Sequence, residues 1–361
     1  MKKIAYIFLI ILLALSLAAC GGSTGGAGSG GFELALVTDL GTIDDKSFNQ
    51  GSWEGLVLYA EENNITHKYY QPTEQSDDAY LTAIDLAVKG GAKVVVTPGY
   101  LFEVPIYIAQ DRYPETYFIL IDGAPHDKDY TDFTINENVV GINYAEDQAG
   151  FLAGYAAVKD GYLKLGFVGG MAVPAVVRFG YGFIQGAEFA GKELGLGAGD
   201  LEVKYHYTGD FVASPEAQAL AASWYNDGTE VIFACGGAVG NSVMAAAEQG
   251  GKKVIGVDVD QSSESKTVIT SAMKGLTPSV YAALTAYYSG HFPGSQVQVF
   301  EAKNAGVGLP QDFSRFNSFN QAEYDAIYAK LANDEIPRMM DQADGNPSVV
   351  PVTLAVVSYF N

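Results

Sequence analysis

Positive charge is scarce in this chain of 361 residues: 21 Lys and Arg stand against 42 Asp and Glu, a formal charge of -21. So acidic a surface repels phosphate backbones, which argues against nucleic-acid binding, and it serves solubility. Charged residues of any sign make up only 17% while hydrophobic ones reach 48%, so general disorder is excluded and a large core is expected. The four histidines, His67, His126, His206 and His291, are scattered without the i, i+4 spacing of a zinc helix, so no metal is expected. No nucleophile elbow occurs, and nothing supplies a nucleophile, base and orienting group together, as a hydrolase needs. Proline is sparse (13) beside 42 glycines, a balance that suits many tight strand-to-helix turns. Long apolar runs are missing too. The one at residues 4–17 is short of the ~20 residues that span a bilayer, but it suits a signal peptide.

That run follows the basic start Met1-Lys2-Lys3 and ends in LAAC, small residues before Cys20. The pattern resembles a bacterial lipobox and predicts a signal peptide over residues 1–19 and a lipidated, palmitate-bearing Cys20. Residues 21–31, GGSTGGAGSGG, then read as a flexible tether with an r.m.s. reach of roughly 18 Å. With Cys20 acylated no intrachain disulfide can form. The remaining Cys235 sits after an apolar run and reads as a buried thiol.

Beyond the tether, short apolar runs alternate with helical periodicity. Strands are expected at 34–37, 68–70, 94–97, 117–121, 165–168, 203–207, 231–234, 254–257 and 268–270. Trp53, Leu56, Val57 and Ala60 fall on one helical face, as do Ala79, Ala83, Leu86 and Ala87 before a Gly-Gly stop. Ser214-Pro215 marks a helix start, with Ser as N-cap and Pro at the first helical position. Strand–helix alternation with β-branched strands implies an α/β chain with parallel sheets covered on both faces. The pattern runs about twice, so two doubly wound lobes are expected, with a single barrel as the second reading.

In open parallel sheets ligands sit beyond the carboxyl ends of the strands. There the polar residues accumulate: TDLGTIDDKSFNQ after residue 37, Asp122-Gly123 after 121, TGDF after 207, Cys235-Gly236-Gly237 after 234 and Asp258-Val259-Asp260 after 257. Carboxylates can accept paired hydrogen bonds from vicinal hydroxyls or ring N–H groups, and aromatic rings offer faces for a flat ligand. Asp45 and Ser47 have an equal claim to capping the helix that follows them.

These segments, in order, resemble the basic membrane protein (BMP/PnrA/Med) family of substrate-binding lipoproteins. The match runs through LALVTDLGTIDDKSFNQGSWEGL, FILIDG, GFVGGM…FGYGFIQGAEFA, YTGDF and VIGVDVDQ with TSAMK, over residues 33–290. The resemblance implies a periplasmic-binding-protein-like type I fold, two doubly wound parallel-sheet lobes joined by a hinge. It implies a non-enzymatic carrier that delivers purine nucleosides (guanosine, inosine or adenosine) to ABC permease and ATPase subunits on separate chains, with no cofactor. On it, Phe48 and Phe211 sandwich the base, Asp122 reads the base edge with Asn49 assisting, and Asp258 grips the ribose hydroxyls. Lys274 donates to a ribose oxygen, Gly236 adds a backbone group, Asp39 lines the same cleft, and Asp260 is the alternative ribose ligand. The expected N-terminal lobe is 33–142, completed by about 271–310, and the C-terminal lobe 143–270, completed by about 311–361. The mature protein is then expected on the extracytoplasmic face of the cell membrane, held by its lipid.

Other readings are weaker. A sugar- or autoinducer-binding sensor lipoprotein shares the fold and is the alternative; a secreted hydrolase ranks below it. Ser271-Ala272-Met273-Lys274 fits the S-x-x-K of penicillin-interacting enzymes, but the companion motifs are absent. The glycines at 26–31 precede the first strand, where no dinucleotide fingerprint works, and the near P-loop at 186–192 reads as helix. Arg178 reads as a structural ion-pair partner.

Overall fold

A computed structural model describes residues 31–39, 41–341 and 345–360; the signal segment, Cys20 and most of the tether lie outside it. Two sheets organise the described residues. The first has six strands in the order β11-β5-β4-β3-β1-β2. They are β1 (Leu34–Val37), β2 (His67–Tyr70), β3 (Val94–Pro98), β4 (Tyr117–Ile121), β5 (Val139–Tyr144) and β11 (Gln296–Phe300), all parallel. The second has seven, in the order β12-β10-β9-β8-β6-β7-β13. These are β6 (Lys164–Gly169), β7 (Leu201–Tyr207), β8 (Val231–Cys235), β9 (Lys253–Asp258), β10 (Val268–Lys274), β12 (Val307–Gly308) and β13 (Ala355–Phe360). Only β12 runs antiparallel, against β10. Central strands such as LALV and VIFAC are buried at every residue, as parallel strands with helices on both faces must be.

The helices follow their strands: α1 (Phe48–Glu62), α2 (Asp77–Lys89), α3 (Glu103–Arg112), α4 (Glu146–Lys159), α5 (Pro174–Glu193), α6 (Pro215–Asn226), α7 (Val239–Gly250), α8 (Leu276–Tyr288) and α9 (Gln321–Ala332). Ser214 does cap α6, its Oγ accepting the Ala217 N–H at 3.1 Å with Pro215 next. In α2 the buried face is Tyr80, Leu81, Ala83, Ile84 and Ala87, while Leu86 is 54% exposed, contrary to the expected stripe. Tyr80 and Ile84 outweigh it by supplying the larger apolar area one step round the helix. The sequence 186–192 is the interior of α5, as expected.

Each of the nine expected strands is present. Residues 139–144, 296–300 and 355–360 were not expected as strands. In β5, Gly141 and Asn143 interrupt the apolar run, yet a Cβ at Gly141 would lie 2.8 Å from the Gly123 carbonyl oxygen. The glycine lets the loop after β4 fold down onto the strand. β13 is a half-exposed edge paired only with β7, anchored by Glu188, whose carboxylate accepts the N–H groups of Thr353, Leu354 and Ala355 at 2.7–3.1 Å.

The chain changes sheet three times within the described residues: after β5, after β10 and after β11. β10 extends to Lys274 and β12 belongs to the second sheet, so the first sheet regains the chain after 274 and loses it before 307. The passages expected at about 271 and about 310 lie within a few residues of these strand ends.

At the joint the three passages bind one another. Ala145 N–H donates to Phe300 O (2.9 Å), Gly275 N–H to Gly306 O (2.8 Å), and Ala302 N–H to the Gln148 side chain (2.7 Å). Beside them α4 and α5 touch backbone to backbone. A Cβ on Gly154 would sit 2.0 Å from Phe183 O, and one on Gly182 2.1 Å from Asp147 O.

Candidate ligand-binding cleft

The segment leading into α1 carries the first group of polar residues. Asp45 caps the helix, its carboxylate accepting the N–H groups of Ser47 (2.9 Å), Asn49 (2.9 Å) and Gln50 (3.0 Å). Ser47 does not cap: its hydroxyl donates to Asp258 Oδ2, across to the second lobe. The Asn49 amide donates to Asp39 Oδ1 (3.0 Å) and Asp45 Oδ2 (3.1 Å). Its carbonyl oxygen is left buried without a hydrogen-bond partner among the described residues. Burial raises the pKa of both Asp39 and Asp45, against the N–H groups that favour their charged forms.

Two more carboxylates end strands, one from each lobe. Asp122 follows β4 with φ +58° and Asp258 ends β9 with φ +67°, left-handed conformations that Asp tolerates better than most residues. Between them lies the buried ammonium of Lys274, at the end of β10. It pairs with Asp122 Oδ2, with Glu146 Oε1 at 3.1 Å and with Asp258 Oδ1 at 3.9 Å. The rings of Phe48, Phe179 and Tyr144 surround it at 4.9, 5.3 and 5.4 Å. Glu146 in turn accepts from Arg178 Nε at 2.6 Å, and Arg178 also pairs with Asp341 at 3.1 Å. Arg178 therefore has the structural pairing expected of it.

The electrostatics follow from burial. Desolvation lifts Asp122 from 3.8 to about 7, opposed by Lys274 and reinforced by Glu146. Burial also lifts Asp258, with Lys274 and Ser47 opposing. Desolvation pushes Glu146 upward as well, but Arg178 and Lys274 outweigh it and hold its pKa below the ordinary value. Lys274, with three carboxylates about it, is pushed above the usual lysine range despite burial. Asp122 Oδ1 has no hydrogen-bond partner among the described residues.

Part of this network borders one cavity of about 590 Å³ between the two sheets. Asp39, Phe48, Asn49, Asp122, Phe211, Gly236, Asp258 and Lys274 all line it, and Tyr100, Met171, Val173 and Phe179 complete its apolar walls. Gly170 is required there: a Cβ would meet the Phe211 ring at 2.4 Å. Asp260 does not join the group. It is exposed and its carboxylate accepts the N–H of Ser262 at 2.9 Å, because the chain turns away once β9 ends at Asp258. Ser271 and Lys274 of the S-x-x-K match lie three apart on a strand, so they face opposite ways; Ser271 Oγ accepts from Gln261 N at 3.1 Å.

Residues 32–341 match the family model described as ABC transporter substrate-binding protein, PnrA-like. The chain belongs to that family. The PnrA-like assignment bears out the resemblance read from the sequence motifs and makes the chain a substrate-binding protein of an ABC transporter. Among relatives, the ABC transporter nucleoside-binding protein BmpA of Lactococcus lactis is 29% identical over 303 residues, 78% of this chain and 82% of that one. Basic membrane protein A of Borreliella burgdorferi is 29% identical over 345 residues, covering 93% and 95%. A solved solute-binding protein of an ABC transporter system from Aeropyrum pernix K1 aligns with TM-score 0.68 and 24% identity, covering 86% and 87%, which supports the fold.

In this PnrA-like chain the sequence motifs mark neither Glu146, a residue that shapes the cleft, nor the pairing of another, Ser47. Glu146 went unnoticed because β5 did; an acid pair directly after a strand, Glu146-Asp147, would have been the signal. Ser47 was weighed as a cap or ligand contact, and nothing local marks its pairing with a carboxylate 211 residues away.

Proposed function

We propose that this chain carries a purine nucleoside in the cleft between its lobes and delivers it to a membrane permease served by separate ATPase subunits. The observation that carries the reading is the convergence of Phe48, Phe211, Asn49, Asp122, Asp258 and Lys274, drawn from both lobes, on one cavity. Its volume, about 590 Å³, lies within the ~300–1,000 Å³ of small-molecule sites. Phe48 and Phe211 offer faces to a flat base, each worth ~1–3 kcal/mol in stacking. The carbonyl oxygen of Asn49 and the free oxygen of Asp122 are acceptors for N–H donors of a base edge. Asp258, with Lys274 beside it, suits a pair of ribose hydroxyls, and Gly236 offers a backbone group on the cavity wall. A relative whose name assigns it nucleoside binding supports the same class. Asp39 holds Asn49 in its orientation.

Cys20 is the proposed lipid attachment point, which would hold the carrier at the extracytoplasmic membrane surface through residues 21–31. Among the described residues no helix is long and apolar enough to cross a membrane, in keeping with a permease on another chain. Titration calorimetry against guanosine, inosine, adenosine, the free bases, ribose and other sugars tests the reading. Binding of nucleosides well above bases and sugars is expected; binding of sugars alone would replace the reading with that of a sugar carrier.

A further inference from the structure

Glu146 does not line the cavity, yet it is completely buried beside it and holds two cations. It stands at the first turn of α4, directly after the passage from the first sheet. Its Oε1 lies 3.1 Å from Lys274 Nζ, and Lys274 ends β10, immediately before the second passage. Its Oε2 receives Arg178 from α5, the helix whose backbone contact with α4 requires Gly154 and Gly182. One carboxylate thus ties the joint between the lobes to the ammonium in the cleft. Lys274 pairs with Asp122 of the first lobe and lies near Asp258 of the second, and this third acid, belonging to the joint, approaches its ammonium as an ion pair without hydrogen-bond geometry.

We propose that Glu146 is a positioning residue for the ligand site: it holds Lys274 between the carboxylates of the two lobes, and so couples occupancy of the cleft to the hinge. The inference rests on the reading of this cleft as a nucleoside site for its ligand, but not for its geometry. Removing the charge of Glu146 leaves Lys274 to Asp122 and Asp258 alone, and the ammonium moves toward them. The groups facing Asp122 are Lys274 from β10, Glu146 from α4 and Arg178 from α5, with Tyr144 of β5, Cys235 of β8 and Asp258 of β9 sharing the pocket. Glu146 raises the Asp122 pKa and Lys274 lowers it, so both consequences of Glu146→Gln drive the Asp122 titration downward.

The first test needs no ligand. Carboxyl-carbon NMR titration of Asp122 in the full chain, assigned with Asp122→Asn, compares wild type with Glu146→Gln. The midpoint is expected to fall by about one unit; an unmoved or higher midpoint overturns the proposal. The second is a calorimetric cycle with inosine and guanosine on wild type, Glu146→Gln, Lys274→Met and the double variant. Glu146→Gln is expected to weaken binding about tenfold, and the double variant to bind no worse than Lys274→Met within about twofold. Losses that multiply, or an unchanged affinity in Glu146→Gln, overturn it, since a residue that merely supports the fold would act independently of Lys274. If the Gln variant does not fold, Glu146→Asp, which withdraws the carboxylate by one methylene, is carried through the same cycle. A wild-type protein that binds neither nucleoside would defeat the functional reading, and the ligand-free titration repeated in Lys274→Met would then decide the role of Glu146: a fall in the Asp122 midpoint as large without Lys274 as with it overturns the positioning role.

Discussion

Asp258 illustrates how a single residue concentrates several constraints. It ends a strand in a left-handed conformation, takes the Ser47 hydroxyl from the opposite lobe and keeps its other oxygen 3.9 Å from Lys274. Replacing it with Ala removes a charged acceptor, a loss of ~1.5–3 kcal/mol for such a hydrogen bond. Nucleoside affinity in Asp258→Ala is therefore expected to fall at least about tenfold by titration calorimetry; an equal dissociation constant would remove Asp258 from the site. Asp122 gives a second prediction, through pH. Its carboxyl titrates near 3.8 when unfolded and is lifted by burial to about 7 in the folded protein. The folded state then holds a proton that the unfolded state releases, so this group favours folding most below about pH 4 and its contribution is lost as pH rises through 7. The thermal midpoint of wild type minus that of Asp122→Asn is expected to fall between pH 4 and 7 in scanning calorimetry, and a flat difference would count against the burial argument. At this scale the sequence was informative where a carboxylate ends an apolar run, as at Asp122 and Asp258, whereas Phe211 and Gly236 stood out only through the resemblance to the family. Asp260 was misplaced because two residues of turn geometry separate a cleft carboxylate from a solvated one, and composition does not report φ.

Among the elements, α4 and α5 leave each other very little tolerance. Their glycines leave no room for a methyl group, with Cβ positions at Gly154 and Gly182 falling about 2 Å from carbonyl oxygens of the facing helix. Gly154→Ala must push the helices apart and is expected to destabilise the protein by ~1–3 kcal/mol, measured as a lowered midpoint in urea. It should also weaken ligand binding, because Arg178 on α5 would be drawn away from Glu146 on α4. A variant with wild-type stability would show that the helices can separate without strain. Strands with continuous β-branched runs were legible almost to the residue, since burial on both faces imprints an unbroken apolar segment. β5 was not, because close packing requires Gly141 and the half-buried Asn143 further interrupts its apolar run. β13 escaped for the opposite reason: as a half-exposed edge it carries too short an alternation to stand out. In α2 the stripe was shifted by one position, since periodicity gives a face but Tyr80 and Ile84 decide its centre.

For the whole molecule, the repetition of the strand–helix pattern was enough to indicate two lobes, and the parallel sheets bear that out. The passages between them were less legible, because β10, β11 and β12 exchange sheets over fewer than 45 residues, from Val268 to Gly308, without a compositional break. Ligand bound between the lobes contacts both, so it should stabilise the assembled form and not either part alone. At a nucleoside concentration 100 times the dissociation constant the gain is ~2.7 kcal/mol, expected as a raised midpoint in a thermal-shift assay. Ribose at the same concentration should leave the midpoint unmoved, and a shift with ribose equal to that with inosine would mean the rings of Phe48 and Phe211 do not read a base.

The late arrival of β11 bears on how the protein is made. The first sheet holds β5 as its edge until Gln296–Phe300 pairs beside it. About 150 residues, most of them of the second lobe, are synthesised in that interval, roughly 8–30 s at ordinary translation rates. During that time a nascent chain allowed to fold would present an unfinished β-edge, so keeping it unfolded until its end has emerged protects it from pairing with a neighbour.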